Sequence, residues 1–232
     1  MQTRLYVALT SRDMAGRKTL LEELAGLPLG MKVGLELFTG SGPGLLEDIG
    51  EAGFPVFLDL KFHDIPFTVA GAVRAACGFG PELLNVHASG GREMMKAAAE
   101  AAEGNTRVLA VTVLTSLSGK DMREMGIAAE PAEMVTSLAV SAMESGLHGV
   151  VCSPLEASAV RKATGPDFMI VTPGVRPSGS SSNDQKRTST PFQAVKAGAD
   201  ALVVGRPITM ADDPRTAAES ILSEMNLAFS EG

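Results

Sequence analysis

The sequence predicts a single α/β domain, residues 1–232, in which eight parallel strands close into a (β/α)₈, or TIM, barrel. Eight short apolar runs recur along the 232 residues, and each is followed by a stretch with helical periodicity. Regular alternation of strands and helices predicts a parallel sheet, and eight such units fit the length of one barrel. No linker, low-complexity run or sharp change of composition divides the chain.

The predicted elements follow one another in a simple order. The predicted strands are Leu5–Leu9, Met31–Gly34, Val56–Leu60, Leu83–His87, Val108–Leu114, Gly149–Cys152, Phe168–Val171 and Ala201–Gly205. The predicted helices include Gly44–Ala52, Thr68–Phe79, Arg92–Glu103, Ala132–Ser145, Leu155–Thr164 and Pro191–Ala197. A doubly wound open sheet is the alternative, but its first turn is usually rich in glycine, and residues 10–13 here read Thr-Ser-Arg-Asp. Residues 174–190 are predicted to be one long irregular loop.

Charge and composition narrow the class of function. Acidic residues outnumber basic ones by 27 to 20, which gives a net charge of −7. This balance argues against nucleic acid or an anionic membrane surface as the partner, and an anionic substrate would need a local cluster of basic residues. No run of 18 apolar residues is present, so we expect no membrane-spanning segment.

The cysteines and the first residues bear on the cellular compartment. Cys77 and Cys152 are the only cysteines, and two isolated thiols predict neither a disulfide framework nor a zinc site. From Met1 the chain passes into strand-like residues without a charged and then apolar leader. We therefore expect a cytoplasmic protein.

Polar residues follow most of the predicted strands. In a barrel of this kind the chemistry takes place at the carboxyl ends of the strands, so these residues are candidates for a site. They are Thr10, Lys32, Asp59 with Lys61, His87, Thr115, Ser153, Thr172 and Gly205 with Arg206. Strand ends also meet solvent in any barrel. That explanation is weaker for Lys32, because Met31, Val33 and Leu35 surround it with apolar groups.

The most informative stretch is Phe57–Pro66, at the third predicted strand. Its first half is apolar, as in a buried strand, and Asp59, Lys61 and Asp64 then bring three charges. Asp59 and Lys61 are two residues apart and point to the same side of an extended chain. Charges at the end of a buried strand are costly unless each has a partner. The stretch predicts either a structural ion pair or a charged catalytic centre.

The segments after the last two strands are suited to binding an anion. Barrel enzymes often hold a phosphate between these two loops, through backbone N–H groups. Gly205 allows close approach of the backbone, and Arg176 and Arg206 each carry several donors for phosphate oxygens. Gln185, inside the long loop, is a further candidate donor. The plain alternative is a tight turn with two solvated arginines.

Together these motifs resemble those of orotidine 5′-phosphate decarboxylases of the short bacterial type. The matching stretches are Val33–Phe38, Phe57–Pro66, Val86–Ala88, Val111–Ser116, Val171–Pro177, Asp184–Arg187 and Gly205–Thr209. They run in order along essentially the whole chain, and the Asp-Leu-Lys-Phe-His-Asp-Ile-Pro block is highly specific. The resemblance implies decarboxylation of orotidine 5′-phosphate to uridine 5′-phosphate, the last step of de novo synthesis of that nucleotide. It also implies no cofactor, and a homodimer with shared active sites.

The resemblance implies a role for each candidate residue. Lys32, Asp59, Lys61 and Asp64 would form a charged tetrad, in which Lys61 protonates C6 and Asp64 reaches the neighbouring subunit's site. Thr68 would join that contact across the interface, at the ribose. The other substrate contacts would come from Thr115 at the pyrimidine and from Arg176, Gln185, Gly205 and Arg206 at the phosphate. The loop 174–190 would close over the ligand.

Two positions depart from the family's pattern. The first strand usually ends in an aspartate that bonds a ribose hydroxyl, whereas here Thr10 stands there, which can still bond but without charge. Asp13 is close enough in sequence to substitute for it. An asparagine usually follows the Ile-Pro pair, and here Phe67 takes its place, which predicts different packing on the dimer side.

The residues around Lys61 predict how such a reaction would proceed without a cofactor or metal. Loss of CO₂ leaves a carbanion that has no ordinary electron sink. Lys61 lies between two carboxylates in sequence and should stay protonated, so its ammonium can stabilise the developing charge and then donate its proton. Two alternatives remain open: a sugar-phosphate decarboxylase or aldolase on a related barrel that uses magnesium, and a noncatalytic phosphosugar-binding protein.

Overall fold

The structure, a computed structural model, describes residues 4–10, 13–176 and 189–230. Eight parallel strands pair in sequence order, and the last pairs with the first. The sheet is therefore a closed barrel, and the predicted (β/α)₈ architecture is confirmed. The strands are β1 (Arg4–Leu9), β2 (Leu29–Gly34), β3 (Val56–Phe62), β4 (Leu83–His87), β5 (Arg107–Val111), β6 (Gly149–Val151), β7 (Met169–Pro173) and β8 (Ala201–Val204).

Helices surround the barrel and connect its strands. Each predicted helix overlaps an observed one, and the described residues contain others that the sequence analysis did not name, including the first and last below. The α-helices are α1 (Met14–Leu24), α2 (Leu35–Ser41), α3 (Gly44–Glu51), α4 (Pro66–Cys77), α5 (Arg92–Glu100), α6 (Gly119–Glu124), α7 (Pro131–Glu144), α8 (Ala157–Thr164), α9 (Pro191–Lys196), α10 (Arg206–Thr209) and α11 (Pro214–Ser230). Over the described residues, none of these helices has the length and apolar character needed to cross a membrane.

The interior of the barrel is filled by side chains from alternate strand positions. These residues form one buried cluster: Tyr6, Phe57, Leu83, Leu109, Met169, Val171, Ala201 and Val203. The rings of Tyr6 and Phe57 meet edge to face with centroids 5.8 Å apart. Gly30 on β2 makes room for them, because a Cβ there would lie 2.6 Å from the Tyr6 ring. The opposite faces of the strands pack against the helices in a second, larger core.

Polar groups close the amino end of this interior. The carboxylate of Glu82 accepts a hydrogen bond of 2.8 Å from the hydroxyl of Tyr6. It also pairs with Arg107 at 3.0 Å and with Arg4. The charges of Glu82, Arg4 and Arg107 are therefore paired with one another at the amino end of the barrel, as partly buried charges need to be.

The third strand is irregular where its charges begin. Leu58 pairs with Leu84, and the next pair joins Phe62 to Val86. Between these two pairs the chain advances four residues on β3 but only two on β4. Within this bulge Lys61 has a φ of +52°, and it is the one non-glycine residue with positive φ among the described residues. Bulges of this kind redirect side chains and are frequent beside active sites.

The chain leaves β3 through a short extended link to α4. Ile65 has extended backbone angles, φ −60° and ψ 153°, and α4 begins at Pro66. A residue that precedes proline is restricted to such conformations, as the sequence predicted. Asp64 therefore lies on a segment that projects from the end of the strand, and it is exposed.

Candidate active site

The carboxylate of Asp59 is held between two ammonium groups at the carboxyl end of the barrel. Nζ of Lys61 lies 2.6 Å from Oδ1, and Nζ of Lys32 lies 2.9 Å from Oδ2. Parallel pairing of β2 with β3 aligns Gly34 with Asp59, which places Lys32 beside the carboxylate. The structure therefore brings together three of the four residues of the expected tetrad.

The two lysines determine the charge of Asp59. Burial alone would raise the pKa of this carboxyl group, since it is only 8% exposed. The positive charges of Lys32 and Lys61, with hydrogen bonds from Lys61 and Asn85, outweigh burial and lower the pKa of Asp59 to about 2. Asp59 is thus ionised at neutral pH, and an ion triad of net charge +1 faces the pocket.

Asn85 completes this cluster, although the sequence analysis did not select it. Its Nδ2 donates a hydrogen bond of 2.7 Å to Oδ1 of Asp59. Its Oδ1 accepts one of 2.7 Å from the backbone N–H of Lys61. The signal that would have found it is an amide within the apolar strand Leu83–His87, because a buried polar side chain needs partners.

A small pocket opens over the charged cluster, with a volume of about 180 Å³. It is lined by Lys32, Phe57, Asp59, Lys61, Val111, Val113, Leu114, Thr115, Val151, Cys152, Pro173 and Val203. The lining thus combines charged groups from β2 and β3 with mainly apolar groups from β5 to β8. Thr115 lies in this lining, four residues beyond the observed end of β5. Such a combination suits a small ring that is oriented by a few polar contacts.

Asp64 and Thr68 are not part of this cluster within the chain. Both are exposed. Oδ1 of Asp64 accepts a hydrogen bond of 2.7 Å from the N–H of Ile65, and within the described ranges Asp64 has no ion-pair partner at 4.0 Å or less. Thr68 lies in the first turn of α4. The fourth member of the expected tetrad is therefore exposed and separate from the other three within the chain.

The candidate phosphate residues lie after β7 and β8, which are adjacent strands. The N–H of Arg176 donates to the carbonyl of Ser189 at 3.0 Å, and Val175 forms a parallel bridge with Ser189. These contacts bring together the two ends of the loop. Gln185 belongs to residues 177–188, which lie outside the described residues. Gly205 precedes the exposed Arg206, the first residue of α10.

Thr10 and Asp13, the two residues expected to be available for a ribose contact, lie between β1 and α1. Thr10 is exposed and directly follows β1. The carboxylate of Asp13 accepts hydrogen bonds from the N–H groups of Ala15 at 3.3 Å and Gly16 at 2.9 Å. It is the N-cap of α1, a local role that explains an aspartate at this position.

The remaining polar strand-end residues have varied surroundings. The ring of His87 lies 5.4 Å from that of His63. Burial lowers the pKa of His87, and the nearby charges of His63 and Lys61 lower it further. Ser153 and Thr172 are buried, and neither lines the pocket. In the part of the chain that the structure describes, no group of three or more His, Cys, Asp or Glu side chains is arranged to hold a metal ion.

Comparison with known proteins gives a consistent result. The model of the orotidine 5′-phosphate decarboxylase / HUMPS family matches residues 3–221. A relative named orotidine 5′-phosphate decarboxylase, from Halorhodospira halophila, is 53% identical over 228 residues, which is 97% of each chain. A relative of the same name from Moorella thermoacetica is 49% identical over 233 residues, which is 97% of this chain and 92% of the relative.

Solved structures agree with the sequence relatives. Orotidine 5′-phosphate decarboxylase from Lactobacillus acidophilus is similar with a TM-score of 0.86 and 38% identity, over 97% of this chain and 99% of that one. The enzyme of that name from Pyrococcus horikoshii has a TM-score of 0.77 and 25% identity, over 96% and 99%. These findings confirm the resemblance read from the sequence and indicate an enzyme of the carboxy-lyase class. The chain belongs to the orotidine 5′-phosphate decarboxylase / HUMPS family.

Proposed function

We propose that this chain converts orotidine 5′-phosphate to uridine 5′-phosphate and CO₂ without a metal or cofactor, with Lys61 as the proton donor. The observation that carries the proposal is the buried carboxylate of Asp59, which is held between the ammonium groups of Lys32 and Lys61, at 2.9 Å and 2.6 Å, in the lining of a small pocket. The names of the relatives at about half identity support the same substrate and product.

The proposed reaction moves one electron pair and one proton. The bond between C6 and the carboxylate breaks, its electron pair stays on C6, and CO₂ leaves. The ammonium of Lys61 stabilises the developing negative charge and then transfers a proton to C6. Water returns a proton to the lysine. No step requires an oxidant, a reductant or a second substrate.

Asp59 and Lys32 act on this step through charge and position. The carboxylate of Asp59 anchors the ammonium of Lys61, so little reorganisation is needed when charge develops. Asp59 would also lie near the carboxylate of the substrate, and that repulsion is relieved as CO₂ departs. Lys32 balances the buried carboxylate from its other side, which keeps Asp59 ionised in a site that is largely removed from water.

Binding energy from the rest of the nucleotide would hold the substrate in this arrangement. In the proposal Thr115 bonds the pyrimidine, and Thr10 bonds the ribose. The phosphate is bound by Arg176, Gln185, Gly205 and Arg206. Interactions far from the reacting carbon can offset the cost of crowding charges at C6.

The fourth charge of the tetrad would come from a second copy of the chain. Asp64 faces outward, and its neighbours Ile65 and Phe67 are exposed by 65% and 83%. Two apolar side chains beside a carboxylate are typical of a surface that is covered in an assembly. In a homodimer with a two-fold axis, each site would receive Asp64 and Thr68 from its partner.

The magnesium-dependent alternative is disfavoured by the state of Asp59. A cation would need free carboxylate oxygens, whereas Oδ1 of Asp59 accepts from Lys61 and Asn85, and Oδ2 accepts from Lys32. The lysines would have to move before a metal ion could bind there. The charged cluster therefore favours electrostatic stabilisation by ammonium groups.

A decarboxylation assay in the presence of a chelator tests the proposal. Purified protein is mixed with orotidine 5′-phosphate and EDTA, and the absorbance change and CO₂ release are followed. We expect equal turnover with and without EDTA. Activity that disappears with EDTA and returns with Mg²⁺ would establish the magnesium alternative. Binding of uridine 5′-phosphate without any decarboxylation would establish a noncatalytic binding protein.

A further inference from the structure

Asn85 on β4 is the described side chain that bonds both to Asp59 and to Lys61. It is fully buried, with 0% exposure. An amide in such a place is costly unless its donor and its acceptor are both satisfied. Here the donor reaches the carboxylate of Asp59 and the acceptor receives the backbone of Lys61, each at 2.7 Å.

These two bonds lie behind the pocket and not in it. Asn85 does not line the pocket, whereas Asp59 and Lys61 do. Its amide shares Oδ1 of Asp59 with the ammonium of Lys61, which approaches the same oxygen at 2.6 Å. Any effect of Asn85 on the reaction must therefore pass through the position of these two residues.

The bulge in β3 explains why a side chain is needed here. The strand register passes from the pair Leu58–Leu84 directly to Phe62–Val86, so the residues between have no register partner on β4. Lys61 lies in that interval with φ +52°, a conformation that costs free energy for a residue with a side chain. The amide oxygen of Asn85 supplies an acceptor for the N–H of Lys61 at the point of the register shift.

We propose that Asn85 is a positioning residue for the proton donor. It holds the backbone of Lys61 in the left-handed conformation and fixes Oδ1 of Asp59, and together these set the direction of the ammonium. The role requires an uncharged group with one donor and one acceptor. The inference rests on the proposed function, because it assigns Asn85 to the step in which Lys61 protonates C6.

The first test compares Asn85→Ala with a matched control. Thr106→Val also removes a buried hydrogen bond, which the Thr106 hydroxyl donates to the carbonyl of Pro81 at 2.7 Å, just before β5. We expect Asn85→Ala to lower kcat by about 10²-fold, since a small misplacement of a reacting group has effects of that size. Affinity for uridine 5′-phosphate should change little, and Thr106→Val should keep wild-type kcat.

A second variant tests the requirement for a neutral side chain. The carboxyl group of Asn85→Asp would lie against Asp59 and Lys61 on β3, the two residues that the amide contacts. Lys32 on β2 binds the other oxygen of Asp59, and His87 is two residues further along β4. Protonated, the introduced carboxyl group can donate and accept like the amide, and ionised, it repels Asp59. We expect the ratio of its kcat to that of the wild type to fall as pH rises. This readout would not follow from a loss of packing alone.

The outcomes separate the inference from the function on which it rests. The inference alone would be overturned if the wild-type protein decarboxylates the substrate and folded Asn85→Ala has a kcat within a few-fold of the wild-type value. If Asn85→Ala does not fold, a pH-independent kcat ratio for Asn85→Asp would overturn it. A wild-type protein without decarboxylase activity would overturn both the proposed function and the role of Asn85.

Discussion

Nζ of Lys61 lies 2.6 Å from Oδ1 of Asp59, which is two residues earlier on the same strand. In a regular strand both side chains would stand side by side and point away from the sheet. The bulge and the positive φ of Lys61 redirect the lysine without breaking the barrel. Local backbone strain is thus associated with the one charged cluster that lines the pocket, as is common at functional sites.

The lowered pKa of Asp59 predicts a pH dependence of stability. The pKa of this carboxyl falls from its ordinary 3.8 to about 2 in the folded protein. A group of this kind stabilises the fold above its unfolded pKa and loses that contribution as the pH falls through the folded value. We therefore expect it to contribute about 2 kcal/mol, lost between about pH 4 and pH 2.

Urea unfolding as a function of pH measures this contribution. Wild type should lose about 2 kcal/mol more of its unfolding free energy than Asp59→Asn between about pH 5 and pH 2. Asp48→Asn, at an exposed position of α3, controls for the removal of a carboxylate elsewhere. Parallel curves for wild type and Asp59→Asn would show that the two lysines do not stabilise this carboxylate.

The assignment of Arg206 to the phosphate predicts a selective loss of affinity. Removal of one charged hydrogen bond should weaken binding of uridine 5′-phosphate by about 1.5–3 kcal/mol in Arg206→Ala. Binding of uridine, which lacks the phosphate, should be unaffected. Calorimetric titration of both ligands measures the difference, with Arg74→Ala in the last turn of α4 as the control. Equal losses for the two ligands would show that Arg206 does not contact the phosphate.

The shared site predicts complementation between two inactive variants. In a heterodimer, one subunit carries Lys61→Ala and the other carries Asp64→Asn. If each site combines Lys61 of one subunit with Asp64 of the other, both substitutions fall in one site and the second site carries neither. Mixed subunits should recover about half of wild-type activity per heterodimer. Subunit exchange is verified by mass spectrometry of differently tagged chains. If exchange is complete and no activity returns, Asp64 serves its own subunit.

The fold was predictable because its signal is repetitive and local. Eight apolar runs, each followed by a helical pattern, predict parallel strands that need crossover helices, and Ile65 before Pro66 predicts the extended link into α4. The approach of Lys32 to Asp59 was less direct. It depends on the register of β2 against β3, which periodicity does not fix. The sequence predicted it only through the resemblance to the family, which implies that Lys32 and Asp59 belong to one charged tetrad.

Other features of the site could not be derived from the residues. The left-handed backbone of Lys61 is unexpected for a lysine, because positive φ is disfavoured for residues with long side chains. The role of Asn85 depends on the register shift between β3 and β4, a tertiary property. The N-cap bonds of Asp13 depend on where α1 begins, a boundary that the sequence pattern does not fix, and a ribose contact of Asp13 stays a prediction.

The turnover of Lys61→Ala tests the central claim most directly. If the ammonium of Lys61 protonates C6, kcat should fall by at least ~10²–10⁴-fold, because the lost interaction is made mainly in the transition state. Affinity for uridine 5′-phosphate should stay within a few-fold of wild type. Lys96→Ala, an exposed lysine of α5 with a side chain 63% accessible, should keep full turnover. A folded Lys61→Ala enzyme with near-normal kcat would contradict the account.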